Sequence, residues 1–216
     1  MAIILGMVTM NNNYPAGHIY EQLYARYFEK DVLKFIETVN DNDAVLDLCG
    51  GTGILSKSAS QKTKDITLVD LSISMSRSVL YDPLIKYIHM DVSEFLKENN
   101  KTFDVAFCRQ AINYWLTQEN VHLMYKFINK FVFNTFHEEP HNKSYTYLYN
   151  GKSYVEHVDY DRNTGIIRHI QQQGDLKHET SFRYIPEDII DLWLSNAGYK
   201  IKKEKKEKSL FYIAYK

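Results

Sequence analysis

Apolar and polar positions alternate along this chain with two different periods. From residue 16 to 39 apolar and aromatic side chains recur every three or four positions, at Ile19, Leu23, Tyr27, Val32, Phe35 and Ile36. That spacing predicts one or two amphipathic helices. The run Asn40-Asp41-Asn42-Asp43 then breaks the pattern as a turn. Beyond this turn the chain alternates in type, with short apolar strands expected at 44–48, 66–69, 85–89, 103–107 and 131–136. Helical segments are expected between and after them, at 53–60, 72–80, 92–98 and 118–129. Strands and helices of this length, in strict alternation, imply parallel βαβ units with right-handed crossovers and therefore a doubly wound sheet.

The pattern changes after Pro140. Residues 143–184 read as three or four antiparallel strands separated by Asn150-Gly151, by 161–165 and by 173–175. Asn-Gly between aromatic runs is a strong hairpin signal, because a type I′ turn needs positive φ at both central residues. A helix returns at 185–197, with Pro186 in its first turn and Gly198 at its C-cap. Residues 200–207 and 209–215 close the chain as a hairpin.

Composition narrows the function. With 216 residues, 44% hydrophobic and 25% charged, the chain has the make-up of an ordinary globular domain. Its formal net charge of −1 argues against a protein whose main contacts are phosphates, since backbone neutralisation dominates nucleic-acid affinity. Cys49 and Cys108 are the two cysteines, and neither sits in a metal-ligand spacing. Both are expected as reduced thiols, which suits a cytoplasmic protein. No run of residues approaches the ~18 apolar positions of a membrane span. Residues 1–12 are expected to form a disordered leader.

The segment Val45-Leu46-Asp47-Leu48-Cys49-Gly50-Gly51-Thr52-Gly53 runs from a buried strand into a glycine-rich turn and then a helix. Glycine is needed where backbone approaches a ligand or adopts positive φ. A dinucleotide site would show G-x-G-x-x-G, and no Walker lysine comes after this turn. The D-x-x-x-G-x-G spacing resembles motif I of the class I S-adenosylmethionine-dependent methyltransferases. That resemblance implies a mostly parallel seven-stranded sheet and S-adenosylmethionine as cofactor, with Asp47, Cys49, Gly50, Gly51 and Gly53 lining its methionine half.

Three further stations occur in the family's order. Asp70 ends the next strand, where a carboxylate can accept both ribose hydroxyls. By the resemblance, Leu71 and Met75 then flank adenine. Asp91-Val92 comes after the third strand, where the family reads the adenine amino edge; Asp91 is equally suited to cap the helix that starts at Val92. Cys108 and Arg109 end the fourth strand, which in the family brings backbone close to the methionine part and the acceptor. No catalytic metal is expected.

Two regions can roof the acceptor. One is the N-terminal helix with Tyr14, Tyr20, Tyr24 and Tyr27, of which Tyr24 is the leading candidate; core and rim packing is the plainer reading of these residues. The other is the 143–184 insert, similar in position to the antiparallel elements of glycine and amino-sugar N-methyltransferases. Tyr145, Tyr147 and Tyr149 share one face of their strand, and Val155, His157 and Asp159 one face of theirs. His169, His178 and Arg183 add polar groups, with His178 the candidate base or positioning group, although a buried histidine more often serves structure. Asn113 and Tyr114 stand where base-modifying enzymes carry a di-proline signature, but the prolines are absent. Cys108 lacks the setting of a cytosine-C5 nucleophile.

The expected architecture is a lid at 13–43, a cofactor-binding domain at 44–142 and 185–216, and an acceptor-side insert at 143–184, which is also a candidate dimer element. The expected activity is methyl transfer to nitrogen or oxygen of a small molecule. An RNA or protein methyltransferase is the first alternative, and a non-catalytic binding module that keeps the fold is the second.

Overall fold

The computed structural model describes residues 17–24, 31–77, 79–206 and 209–216. The expectations for residues 1–12, Tyr14 and Tyr27 lie outside these. The described chain begins with helices α1 (Gly17–Leu23) and α2 (Val32–Glu37). Strand β1 (Val45–Leu48), helix α3 (Ile54–Ala59), β2 (Ile66–Asp70), α4 (Ile73–Ser76), β3 (Ile85–His89) and α5 (Val92–Glu98) come after them. Next are β4 (Phe103–Cys108), α6 (Ile112–Trp115), α7 (Gln118–Phe127) and β5 (Ile128–Phe136). The antiparallel strands β6 (Lys143–Tyr149), β7 (Lys152–Asp161), β8 (Ile166–Gln173) and β9 (Leu176–Arg183) precede α8 (Glu187–Ala197), β10 (Lys200–Lys206) and β11 (Ser209–Tyr215).

Every residue of β1 and β2 is buried, as strands covered by helices on both faces must be. Alternate residues of β1 feed two separate cores. Leu46 and Leu48 join Phe103, Phe131, Ile190 and Tyr212 on one face, while Val45 joins Phe35, Leu68, Phe107 and Phe211 on the other. The main sheet has the order β10-β11-β5-β4-β1-β2-β3, with β3, β2, β1, β4 and β5 parallel and β11 antiparallel to its neighbours. The chain winds from β1 outward to β3 and then returns to β4 on the other side of β1. That reversal opens a crevice at the carboxyl ends of β1 and β4, where such sheets bind ligands.

The insert is a separate four-stranded meander, β6-β7-β8-β9. Its first turn is Asn150-Gly151 with φ of 48° and 73°, as a type I′ hairpin requires. Cross-strand pairs Tyr145↔Glu156 and Tyr147↔Tyr154 put the tyrosines on the face that looks at the main domain. Val155, His157 and Asp159 lie on the opposite face by alternation. Val158, Ile167 and Phe182 form the insert's small core, against which Tyr114 packs.

Three elements differ from the sequence expectation. Helix α7 stops at Phe127 because Ile128 pairs with Phe103 in the sheet, so strand pairing overrides the helical pattern. The 72–80 helix is confined to α4. Helix α6 has no counterpart among the expected helices, since four residues give too short a pattern to read.

Candidate active site

The glycine turn owes its shape to alternating left-handed residues. Cys49, Gly51 and Gly53 have φ of 54°, 55° and 75°. A non-glycine residue in this region carries a cost of roughly 1–2 kcal/mol, so Cys49 holds local strain at the strand tip. Gly50 has an ordinary φ but no room, since a Cβ there would lie 2.5 Å from Leu68 Cγ and 2.9 Å from Asp47 Cγ. Gln110, just past the tip of β4, is left-handed as well (φ 57°), and its N–H donates to Asn134 Oδ1 at 2.7 Å. Both strand ends that border the crevice are thus turned sharply out of extended geometry.

Three carboxylates hold this region. Asp47, 1% exposed, accepts from the Ser56 hydroxyl at 2.7 Å and the Ser56 N–H at 3.2 Å, which pins the first turn of α3 to β1. Burial pushes its carboxyl up to about 7, against the lowering effect of the two Ser56 bonds. Asp70 accepts the Gly51 N–H at 2.8 Å on Oδ2 and the Ser72 N–H at 2.7 Å on Oδ1, so it ties the glycine turn to the end of β2. Burial raises its carboxyl also, with the two N–H groups pulling the other way. Asp91 caps α5 by accepting from Ser93 and Glu94 N–H groups at 2.7 and 3.3 Å. The Cys49 thiol is held well above its ordinary range, first by its hydrogen bond with the Cys108 thiol, then by burial, with the fields of Asp70 and Asp91 adding. Asp70 and Asp91 therefore act on one point of the turn.

Arg109, at the tip of β4, is lowered by burial and held charged by Tyr20, Asp31 and Asp47. Tyr20 is raised by burial, by Tyr114 and by Asp70, and eased by Arg109. So Tyr20 of α1 lies within electrostatic reach of Asp70 at the end of β2, Arg109 past the tip of β4 and Tyr114 on α6. Thr52 and Met75 border α1 from below, for a Cβ on Gly17 would meet Met75 O at 2.7 Å and Thr52 Cγ2 at 3.2 Å. Met75 Cε also faces Gly51, where a Cβ would meet it at 2.9 Å. Leu71 is 64% exposed at the end of β2.

The same helix reaches the insert. The Tyr24 hydroxyl and His178 Nδ1 are 2.9 Å apart and buried, and the Tyr20 ring stacks on Tyr24 with centroids 4.5 Å apart. Gln22 Nε2 donates to Gln173 Oε1, and the Tyr154 hydroxyl donates to the Gln22 carbonyl at 3.2 Å. From α6, the Tyr114 hydroxyl is bonded to Thr180 Oγ1 at 2.8 Å. His178 is lowered to about 4, first by burial and then by His169, so its imidazole is neutral at neutral pH. Among the described residues no group of three or more His, Cys, Asp or Glu could hold a metal ion, and no helix is long and apolar enough to cross a membrane.

The sequence singles out Tyr24 and His178 separately, and the structure joins them. It does not single out Gln110, nor the buried Glu156 and Gln171 of the insert. Their only signal is a polar residue at an inward position of a strand, visible once register is known.

Residues 45–132 match a family model described as a methyltransferase domain. No curated protein sequence matches the chain. Among solved structures the chain is similar to an S-adenosylmethionine-dependent methyltransferase from Clostridium acetobutylicum ATCC 824, with a TM-score of 0.68 and 19% identity over 92% of this chain and 96% of that one. It is similar to the sugar N-methyltransferase KedS8 from Streptoalloteichus sp ATCC 53650, at 0.63 and 18% over 94% of each chain. It is also similar to CalS10, an amino pentose methyltransferase from Micromonospora echinaspora, at 0.67 and 15% over 92% and 97%. At these identities the structural likeness shows the fold, and the family match covers the strands and helices of residues 45–132. Over residues 45–132 the chain is thus similar to a methyltransferase domain, and its fold is the one seen in the S-adenosylmethionine-dependent methyltransferase from Clostridium acetobutylicum.

The residues present fit that cofactor. Asp70 has two oxygens with about four lone-pair directions and uses two of them on backbone N–H groups, which leaves acceptors for vicinal hydroxyls. A crevice edged by Asp70 and Asp91 suits a ligand that carries a sulfonium and an ammonium, and Arg109 supplies an opposing charge for a carboxylate.

Proposed function

We propose that this enzyme methylates nitrogen or oxygen of a small molecule held between the crevice, α1 and the inner face of the insert. One observation carries the reading: α1 places Tyr20 within the electrostatic reach of Arg109 and Asp70 and bonds to His178 through Tyr24. A single short helix thus borders both the crevice and the insert, which supports an acceptor of metabolite size held between them. One of the similar structures is a sugar N-methyltransferase by name and another an amino pentose methyltransferase, which supports an acceptor of that size.

S-adenosylmethionine, when bound, supplies an electrophilic methyl on sulfur. In the proposed arrangement Asp70 holds the ribose, Leu71 and Met75 flank adenine, and Asp91 with the Val92 N–H reads its amino edge. Cys49, Gly50, Gly51, Gly53, Cys108 and Arg109 line the methionine half, and Asp47 keeps α3 and the turn in place. Tyr24 and His178 orient the acceptor. A neutral imidazole can take a proton or a hydrogen bond from the attacking group, while the covering helix excludes water. Alignment of this kind supplies several kcal/mol, up to about 7–11 in favourable cases.

The test has two stages. Calorimetric titration with S-adenosylhomocysteine should show binding. Methyl-labelled cofactor is then offered with amino sugars, their hydroxyl counterparts, bulk tRNA and a protein mixture. Label is expected in a small molecule. Label confined to tRNA or protein would refute the reading.

A further inference from the structure

The inner face of the insert holds a polar row that packing does not require. Cross-strand register sets Tyr145, Glu156, Gln171 and His178 side by side across β6, β7, β8 and β9. Toward Tyr160, Ile167 and Phe182 the same face is apolar and docks on Tyr114. In the polar row Gln171 is 0% exposed and Glu156 4% exposed. Glu156 Oε1 lies 3.4 Å from His169 Nε2. Gln171 donates Nε2–H to the Tyr147 hydroxyl, while its Oε1 is buried with no hydrogen-bond partner among the described residues.

An orphaned buried amide oxygen weakens the fold, and a buried carboxylate is costly to desolvate even with His169 beside it. Apolar residues of similar volume would make the sheet more stable. A buried polar atom left without a partner calls for an explanation, and ligand recognition is one. The row offers oxygen acceptors and a negative charge. Its complement is a molecule rich in O–H and N–H groups that carries a positive charge. From β7 to β9 the row spans two strand spacings, about 10 Å, the reach of a monosaccharide-sized molecule.

We propose, on the basis of the small-molecule reading above, that Glu156 and Gln171 form the acceptor's recognition face. The acceptor is then a polyhydroxylated, positively charged amine. Its charged end rests on Glu156, its hydroxyls on Gln171, and its reacting atom lies toward His178 and Tyr20. Glu156 is a specificity-determining residue remote from the reacting atoms, and the charge it binds is unchanged by methyl transfer.

The probes are glucosamine and glucose, added to the full chain saturated with S-adenosylhomocysteine and followed by NMR titration. Glucosamine should bind more tightly than glucose by roughly tenfold or more, the equivalent of a charge-assisted hydrogen bond. Glu156→Gln should abolish that preference and leave the S-adenosylhomocysteine affinity unchanged, which also reports an intact fold. In the labelled-methyl assay with glucosamine, Glu156→Gln should raise KM and leave kcat near its original value. Gln171→Met, which removes the orphaned oxygen, should raise the urea midpoint of the ligand-free protein and weaken both sugars. Equal binding of the two sugars, or a preference that survives Glu156→Gln, overturns the inference and leaves the methyltransferase reading standing. Failure to bind S-adenosylhomocysteine strikes the underlying site instead, and this inference with it.

Discussion

The Tyr24 hydroxyl meets His178 Nδ1 at 2.9 Å, joining a helix at the start of the chain to the last strand of the insert, 154 positions away. Because Tyr20 stacks on Tyr24 and feels the charges of Arg109 and Asp70, this one bond links the insert to the crevice at the tips of β1 and β4.

Tyr24→Phe removes the hydroxyl and leaves a buried imidazole nitrogen without its partner. The expected loss is about 1–3 kcal/mol of stability, read from the urea midpoint. On the proposed function, kcat/KM for the acceptor falls while S-adenosylhomocysteine affinity changes little. A fully active, equally stable Phe variant would show that the pair has no role.

His178 gives a pH dependence of definite sign. Its ordinary value is 6.5 and burial lowers it to about 4 in the fold. Between these values the unfolded chain takes the proton and the folded chain does not. Its contribution is therefore complete above pH 6.5 and is lost as pH falls toward 4. Chemical denaturation of the wild type and His178→Gln at several pH values should show a shallower acid slope in the variant.

Asp47 acts in the opposite sense. Its carboxyl is moved from 3.8 to about 7, so the folded state holds a proton that the unfolded state releases. That contribution is present below about pH 4 and disappears as pH rises through 7. Asp47→Asn keeps an acceptor oxygen for Ser56 and should lift stability at about pH 8 relative to wild type. An unchanged difference between wild type and variant from about pH 4 to 8 would refute the shift.

Asp70→Ala deletes the acceptor for two backbone N–H groups and the proposed ribose ligand. Calorimetry should register a loss of about 1.5–3 kcal/mol in S-adenosylhomocysteine binding, more than tenfold in Kd. Unaltered affinity would place the ribose elsewhere.

Gly53→Ala meets two independent obstacles. The φ of 75° is left-handed, and the new Cβ would lie 2.3 Å from Val79 Cγ1. Strain and overpacking together should cost about 2–4 kcal/mol, visible as a lowered unfolding midpoint. The glycine turn is displaced with it, so on the proposed function S-adenosylhomocysteine binding should weaken in the same variant.

Much of the doubly wound sheet is legible in the sequence because it is written in local terms. Buried strands such as Val45–Leu48 read as short apolar runs, Asn150-Gly151 reads as a hairpin, and Gly50, Gly51 and Gly53 read as a turn where backbone must bend sharply. Asp70 and Asp91 are also visible, since each ends a strand in a predictable place. Cys49 is harder: nothing in a cysteine announces φ of 54°, and only the turn's path past Leu68 and Asp47 demands it.

Local chemistry therefore settles the order of elements and the positions at which strands end in glycine or carboxylate, since period and turn chemistry act over a few residues. Which of those ends face one another is settled only in the folded chain. The meeting of Tyr24 with His178, the polar row through Glu156 and Gln171, and the early end of α7 at Phe127 all depend on strand register and burial. These are set by contacts between residues far apart in the chain, and no local pattern encodes them.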